Sequence, residues 1–500
     1  MPRVKPENRK RAKRPKTRSG CRTCKIRRVK CDETKPSCHR CTSTGRTCDG
    51  YEAVPGEFPM ILWPSSIFSS LKEHRSFFFY LEKTARQVSG FDENDFWNRV
   101  ILQAAHEDAA TRAAVVALGS FHEDYVRTGE AERTQDDFAL QQYNLAIRQH
   151  LAHLKAYSED PDQVDRYLAS CMIFICIELI QCHYVSALSL IRGAVKLFYE
   201  QCRRTKSAWP IETFELLLSR LQAQAVGLLS PSAVPNTIPP QYKRIGEFEM
   251  PKRFTTVSEA KQHLEFYSHS QILSSDALEE PYYGRALTPS QCLELLDRWT
   301  LAFDAMVAYH GENMTDHDRR AANVLLIWKL MLAVGVDVRA HHLGKLEDPM
   351  VYDLYEITFR EVLELVEKVL VEAGDDGGGH AVASHRFTLD FGIVGPLYDI
   401  TRICRDPFVR RRAIHLLRAY PRREGLWDGL LAAASGERQM ELEETAVSEV
   451  RNSADVPAWA RIMSALPSFQ FGERWAIVEY IRQQPEDGSE AERFLERLEW

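Results

Sequence analysis

No phosphate-cradling glycine motif, nucleophile elbow or HExxH pair occurs anywhere in the 500 residues. The familiar local signatures of nucleotide, acyl-transfer and zinc-protease chemistry are therefore missing, and an enzyme is not expected. A secretory leader is missing too, because residues 1–18 are basic and hold no apolar stretch. The most apolar run, 171–177 (CMIFICI), meets Glu178 and falls far short of a bilayer span. A soluble, intracellular chain with no membrane partner is expected, which makes disulfides the weaker reading of any cysteine cluster. Net positive charge is confined to the first 50 residues. Residues 1–50 carry a net +13, and the remaining 450 carry −19. Only the N-terminal end is built to meet a polyanion.

What that end does contain is six of the chain's 12 cysteines: Cys21, Cys24, Cys31, Cys38, Cys41 and Cys48. They form a repeat offset by 17 residues, in which Cys21, Cys24 and Cys31 return as Cys38, Cys41 and Cys48. Zinc favours tetrahedral thiolate sites. One such site would leave two cysteines idle, and two separate sites would need eight. Two zinc ions sharing two bridging thiolates need six. The equivalent first members, Cys21 and Cys38, are the natural bridges. One zinc then takes Cys21, Cys24, Cys31 and Cys38, and the other Cys38, Cys41, Cys48 and Cys21. The few apolar residues nearby, Ile26 and Val29, could not form a core without metal.

Between the second and third cysteines lies KIRRVK, a run free of glycine and proline and able to form one or two helical turns. The matching segment of the second half, TSTGRT, is a poorer helix former with a single positive charge. The halves are thus expected to do different work. Arg27 and Arg28 sit where a short helix could enter the major groove, and guanidinium groups match the O6/N7 edge of guanine. Arg22, Lys25, Lys30 and Lys35 are assigned to backbone phosphates. Pro36 is expected to fix the turn between halves. The run containing Arg9, Lys10, Arg11, Lys13, Arg14, Lys16 and Arg18 reads as a nuclear-import signal and as an arm along phosphates. The alternative for the whole module is a metal-folded protein-interaction or chromatin adaptor, and the charge and the Arg27–Arg28 pair weigh against it.

The sequence CRTCKIRRVKCDETKPSCHRCTSTGRTC resembles the signature of the fungal binuclear zinc-cluster (Zn(II)2Cys6) transcription factors, without a gap. Residues 91–122 and 391–429 are similar to the helical regulatory region of one branch of that family. The resemblance implies a sequence-specific, nuclear regulator of RNA polymerase II transcription. It also implies that positions 27 and 28 reach CGG-like triplets in double-stranded DNA, with transcriptional co-regulators as further partners. Many members continue into a coiled coil and bind as homodimers. Residues 49–70 carry Pro55, Pro59 and Pro64 and no sustained heptad repeat, so homo-oligomerisation is not expected through an obvious coiled coil.

The expected organisation is a disordered basic arm (1–20), the zinc-cluster DNA-binding domain (21–48), a linker (49–70) and a large all-α regulatory domain of packed helical hairpins (71–500), as one unit or as two that divide near 231–240. Helical periodicity is read over 136–156, 167–178, 187–199, 216–229, 258–267, 289–308, 320–332, 358–371 and 407–419, and 441–449 is placed in a helix. Breaks are read at 231–240 and 372–385. His310 and the pair His341–His342 are expected to be ordinary surface residues. Asp375, Asp376, His380 and His385 are not expected to hold a metal, because ordering so glycine-rich a loop is costly. Cys171, Cys176 and Cys182 are assigned to the core.

Overall fold

The computed structural model describes residues 21, 23–24, 27, 29–32, 34, 38–46 and 48, then 67–91, 96–129, 138–157, 161–204, 211–228, 250–273, 287–341, 348–372, 385–445, 447, 449–470, 474–483 and 490–500. Contacts divide the chain into two compact units, Met1–Ser69 and Ser70–Trp500. The first contains a four-residue helix, α1 (His39–Thr42). The second is largely helical, and each is described by itself.

The larger unit opens with α2 (Leu71–Phe79), whose N-cap Ser70 accepts the Glu73 N–H at 3.2 Å. A π-helical turn, Tyr80–Thr84, carries it into α3 (Ala85–Ser89). A second such turn, Phe96–Val100, leads into α4 (Ile101–Glu107). The central helix is α5 (Ala109–Thr128). It starts where the Asp108 carboxylate accepts the Thr111 N–H at 2.7 Å and stops at Gly129, whose φ of 73° only glycine adopts at little cost. Alanine-rich over its first half, α5 buries residues on nearly every side against α2, α4, α6 (Phe138–Tyr157) and α7 (Pro161–Ile180). Gly119 lets the α2 backbone pass close by: a Cβ there would lie 2.1 Å from the Ser76 carbonyl oxygen.

Each remaining helix reads as a hairpin partner of its neighbour. The elements are α8 (Tyr184–Arg204), α9 (Ile211–Leu228), α10 (Val257–Leu273), α11 (Pro289–His310), α12 (Asp316–His341) and α13 (Glu356–Glu372). α14 (Val394–Ile403), α15 (Pro407–Ala419) and α16 (Gly429–Glu444) follow. α11 begins with a capping box between Thr288 and Gln291 and a proline in its first turn. α12 is long and apolar enough to cross a membrane by length and composition, yet it lies against α10, α11 and α13 and buries Val324, Leu325, Ile327 and Val334, as a core helix does.

Nine of the expected helical spans coincide with helices of this unit. The stretch 441–449 does so only to Glu444, after which the chain turns. The break at 231–240 lies outside the described residues, as does the break at 372–385 apart from its ends Glu372 and His385, and as do Asp375, Asp376, His380 and His342. His341 is exposed beside Asp337 at 2.7 Å, and His310 closes α11. His385 is half-buried near the Tyr125 ring. Cys171, Cys176 and Cys182 are buried, as expected.

Two small sheets accompany the helices and were not foreseen. In the first, β1 (Arg386–Thr388) runs parallel to β2 (Arg422–Glu424), which turns at Gly425 (φ 61°) into β3 (Trp427–Asp428). Strands of two and three residues carry no period for a sequence reading to detect. The second sheet is an antiparallel meander of β4 (Ile462–Phe469), β5 (Trp475–Arg482) and β6 (Arg493–Glu499), packed on α16. Its core of Ile462, Ala465, Val478 and Tyr480 takes in Phe494, Leu498 and Leu442 of α16.

Charged side chains tie these pieces together. Glu443 of α16 is fully buried and receives Arg405 at 2.7 Å, Arg410 at 2.6 Å and the Ile462 N–H of β4 at 2.6 Å. Arg461 makes a bidentate pair with Asp353, both bonds 2.7 Å long, and donates to the carbonyls of Pro349, Ser453 and Val456. Asp390 holds Lys261 and also accepts the N–H groups of Phe91 and Phe391. Each carboxylate thereby serves several donors, the condition under which a buried ion pair is tolerated.

Candidate metal centre and DNA-facing module

The cysteine sulfurs meet in one compact cluster although they come from 28 residues of chain. Two groups of four form, Cys21, Cys24, Cys31 and Cys38, and Cys21, Cys38, Cys41 and Cys48, with the ligand atoms of each within 4.8 Å of one another. Cys21 and Cys38 belong to both. Their sulfurs lie 3.5 Å apart, Cys24 to Cys38 is 3.7 Å and Cys21 to Cys41 is 3.8 Å. Tetrahedral thiolate bonds of about 2.3 Å to zinc set sulfurs about 3.8 Å apart, so the spacing fits two zinc ions sharing an edge.

The repeat is visible in backbone geometry as well. In the first half the Cys24 N–H donates to Cys21 Sγ at 3.4 Å, and in the second the Cys41 N–H donates to Cys38 Sγ at 3.3 Å. Both shared sulfurs thus receive an N–H from the cysteine three residues on, which favours the thiolate form. Burial acts the other way: it pushes the Cys21 thiol up to about 12 and raises Cys24 and Cys38. A dication held by these sulfurs would reverse that balance and favour the thiolates.

One further residue holds the module together. The Asp32 carboxylate accepts the N–H groups of His39 at 3.0 Å and Arg40 at 2.7 Å, the first two of α1, along with the Thr34 hydroxyl at 2.6 Å. The Thr34 hydroxyl first, with the Arg40 N–H beside it, holds the Asp32 carboxyl below its usual range. Asp32 follows the third cysteine and clamps the second pair, so it links the halves. Sequence reasoning missed it, since an aspartate after a cysteine has no local signature for a partner seven residues away.

Of the helix expected after Cys24, the described residues show one turn. Thr23 and Cys24 are helical, Arg27 donates its N–H to the Thr23 carbonyl at 3.1 Å, and the Val29 N–H reaches the Cys24 carbonyl at 3.1 Å. In the second half the helix precedes the TSTGRT segment and lies at α1 itself. Arg27 is half-buried and its Nη1 has no hydrogen-bond partner, while Lys30 is exposed. Arg22, Lys25, Arg28, Lys35 and Pro36 lie outside the described residues. So do Arg9, Lys10, Arg11, Lys13, Arg14, Lys16 and Arg18.

A six-cysteine bimetal cluster followed by a large helical unit defines a class of gene regulator, and comparison with known proteins agrees. Residues 19–56 match the fungal Zn(2)-Cys(6) binuclear cluster domain, and residues 76–209 match the fungal specific transcription factor domain. The aspercryptin biosynthesis cluster-specific transcription regulator atnN of Emericella nidulans is 27 % identical over 95 % of both chains. The transcription regulator lscL of Purpureocillium lilacinum is 31 % identical over 34 % of this chain and 46 % of its own. The transcriptional regulatory protein moc3 of Schizosaccharomyces pombe is 61 % identical over 7 % of each chain. No solved structure matches. The chain has the architecture of the fungal zinc-cluster transcription factors: a DNA-binding, non-catalytic regulator of transcription whose function lies in the nucleus.

Proposed function

We propose that the chain reads CGG-like triplets in the major groove of duplex DNA, chiefly through Arg28 and Arg27, with Arg22, Lys25, Lys30 and Lys35 on backbone phosphates. The observation that carries this reading is the pair of four-sulfur groups sharing Cys21 and Cys38, with the basic run KIRRVK joining two of their cysteines, Cys24 and Cys31. The first half of the repeat holds the arginine pair, and the second has little charge to offer. Lys30, next to the third cysteine, is exposed and open to a backbone phosphate. The arm from Arg9 to Arg18 runs along phosphates and directs nuclear import. The acidic helical unit does not bind DNA, and its work is to contact co-regulators of transcription.

Selection from random duplex DNA with the zinc-loaded chain tests this. An enriched CGG-like triplet is expected, with its spacing. Arg28→Ala is expected to cost about 1–3 kcal/mol and relax the preference, whereas Lys25→Ala weakens all sequences alike and lowers the salt dependence. If no motif is enriched at low salt, the module is a protein-interaction device instead.

A further inference from the structure

The C-terminal meander has two edges, and they are built differently. β4 carries Pro467, which has no N–H to donate, and a register irregularity between Ile462 and Ser464. Both features discourage further pairing. β6 has neither proline nor glycine and pairs with β5 without interruption from Arg493 to Glu499. It is well anchored, because the Trp500 ring lies 6.2 Å from Tyr184 and 6.3 Å from Phe469. The Arg482 N–H donates to the Glu492 carbonyl at 3.0 Å, which sets the phase of the ladder. Even-numbered residues of β6 exchange bonds with β5. Arg493, Leu495, Arg497 and Glu499 therefore aim their N–H and C=O groups away from the sheet. Among the described residues no backbone group meets them.

We infer that β6 pairs antiparallel with β6 of a second copy about a two-fold axis at Glu496, joining two three-stranded sheets into one. Self-pairing that keeps the Phe494–Leu498 face against its own kind admits only registers centred on a residue. Centred on Leu495, it sets Arg493 against Arg497. Centred on Arg497, it sets that residue against itself and Leu495 against Glu499. Centred on Glu496, it sets Arg493 against Glu499 of the second copy, Phe494 against Leu498, and Leu495 along the stem of Arg497. Leu495 is 71 % exposed and gains cover there. The two Glu496 side chains meet at the axis, but each already holds Arg438 at 2.8 Å. The interface is isologous, and every contact occurs twice.

One strand from each copy is a small surface, so a reversible, concentration-dependent dimer is expected. Sedimentation velocity on the zinc-loaded full chain without DNA tests this independently of any triplet reading. Arg493→Glu and Glu499→Arg are each expected to weaken the dimer about tenfold or more, because like charges then face one another at both contacts. An equimolar mixture of these two variants is expected to associate as the natural chain does, since opposite charges are restored across both contacts. Leu495→Pro removes an outward N–H alone and is expected to be monomeric with an unchanged circular dichroism spectrum. A natural chain that stays monomeric, single variants that dimerise unchanged, or a mixture without rescue would each overturn the inference.

Discussion

Cys21 and Cys38 differ from the other four cysteines in belonging to both sulfur groups. Cys21→Ser or Cys38→Ser is therefore expected to empty both metal positions, while Cys24→Ser or Cys48→Ser damages one first. Native mass spectrometry of the full chain counts the zinc ions directly, and a one-zinc Cys21→Ser protein would refute the sharing. In the helical unit the informative residue is Glu443. Burial pushes its carboxyl up, but the guanidinium groups of Arg405 and Arg410 outweigh this and bring it from 4.5 down to about 2. Its folded value lies below its unfolded one, so its contribution is complete above about pH 4.5 and fades as pH falls towards 2. Glu443→Gln leaves two buried arginines without a counter-charge and is expected to cost about 3–5 kcal/mol at neutral pH. Denaturation of the variant should show a shallower acid slope over that window. The cysteine ligands were legible in the sequence because zinc spacing is local. Glu443 was not, because its partners lie 33 and 38 residues away.

At the scale of elements, legibility followed length. Helices such as α6 and α11 repeat an apolar stripe over five or more turns, and the spans read at 136–156 and 289–308 match Phe138–Tyr157 and Pro289–His310 closely. The meander escaped because the apolar residues of its outer strand, Phe494, Leu495 and Leu498, do not alternate with polar ones but fall at spacings a helix also allows. Close approach of helices was equally invisible. Gly119 looks like a weak spot in α5, yet it is the place where the α2 backbone passes. Gly119→Ala raises helix propensity and would stabilise an exposed helix. Here the added methyl meets backbone, so a loss of about 1–3 kcal/mol is expected, measurable as a lower urea midpoint with an unchanged slope. A neutral or stabilising result would mean that α2 and α5 are not packed as described.

For the whole molecule, the +13 and −19 charge balance and the division at Ser70 point to two units with separate sources of stability. The head has its sulfur cluster for a core, and the helical unit has an extensive apolar one. Chelation of zinc is expected to abolish DNA binding while leaving the far-UV helical signal and its thermal transition nearly unchanged. Loss of the helical transition along with the metal would show that the larger unit depends on the head. The hydrogen bonds that close the larger unit carry one more consequence, in time. Phe91 donates its N–H to Asp390 at 2.6 Å, across 299 residues, and Leu389 reaches back to the Val88 carbonyl at 3.2 Å. A ribosome adding about 5–20 residues per second takes on the order of 15–60 s to cross that interval. Throughout it, α2 and α3 are outside the tunnel with their partner strand unmade. The nascent chain thus waits with an open apolar face before it can finish folding, and chaperone occupancy during synthesis should peak in that window and end once residue 390 has emerged.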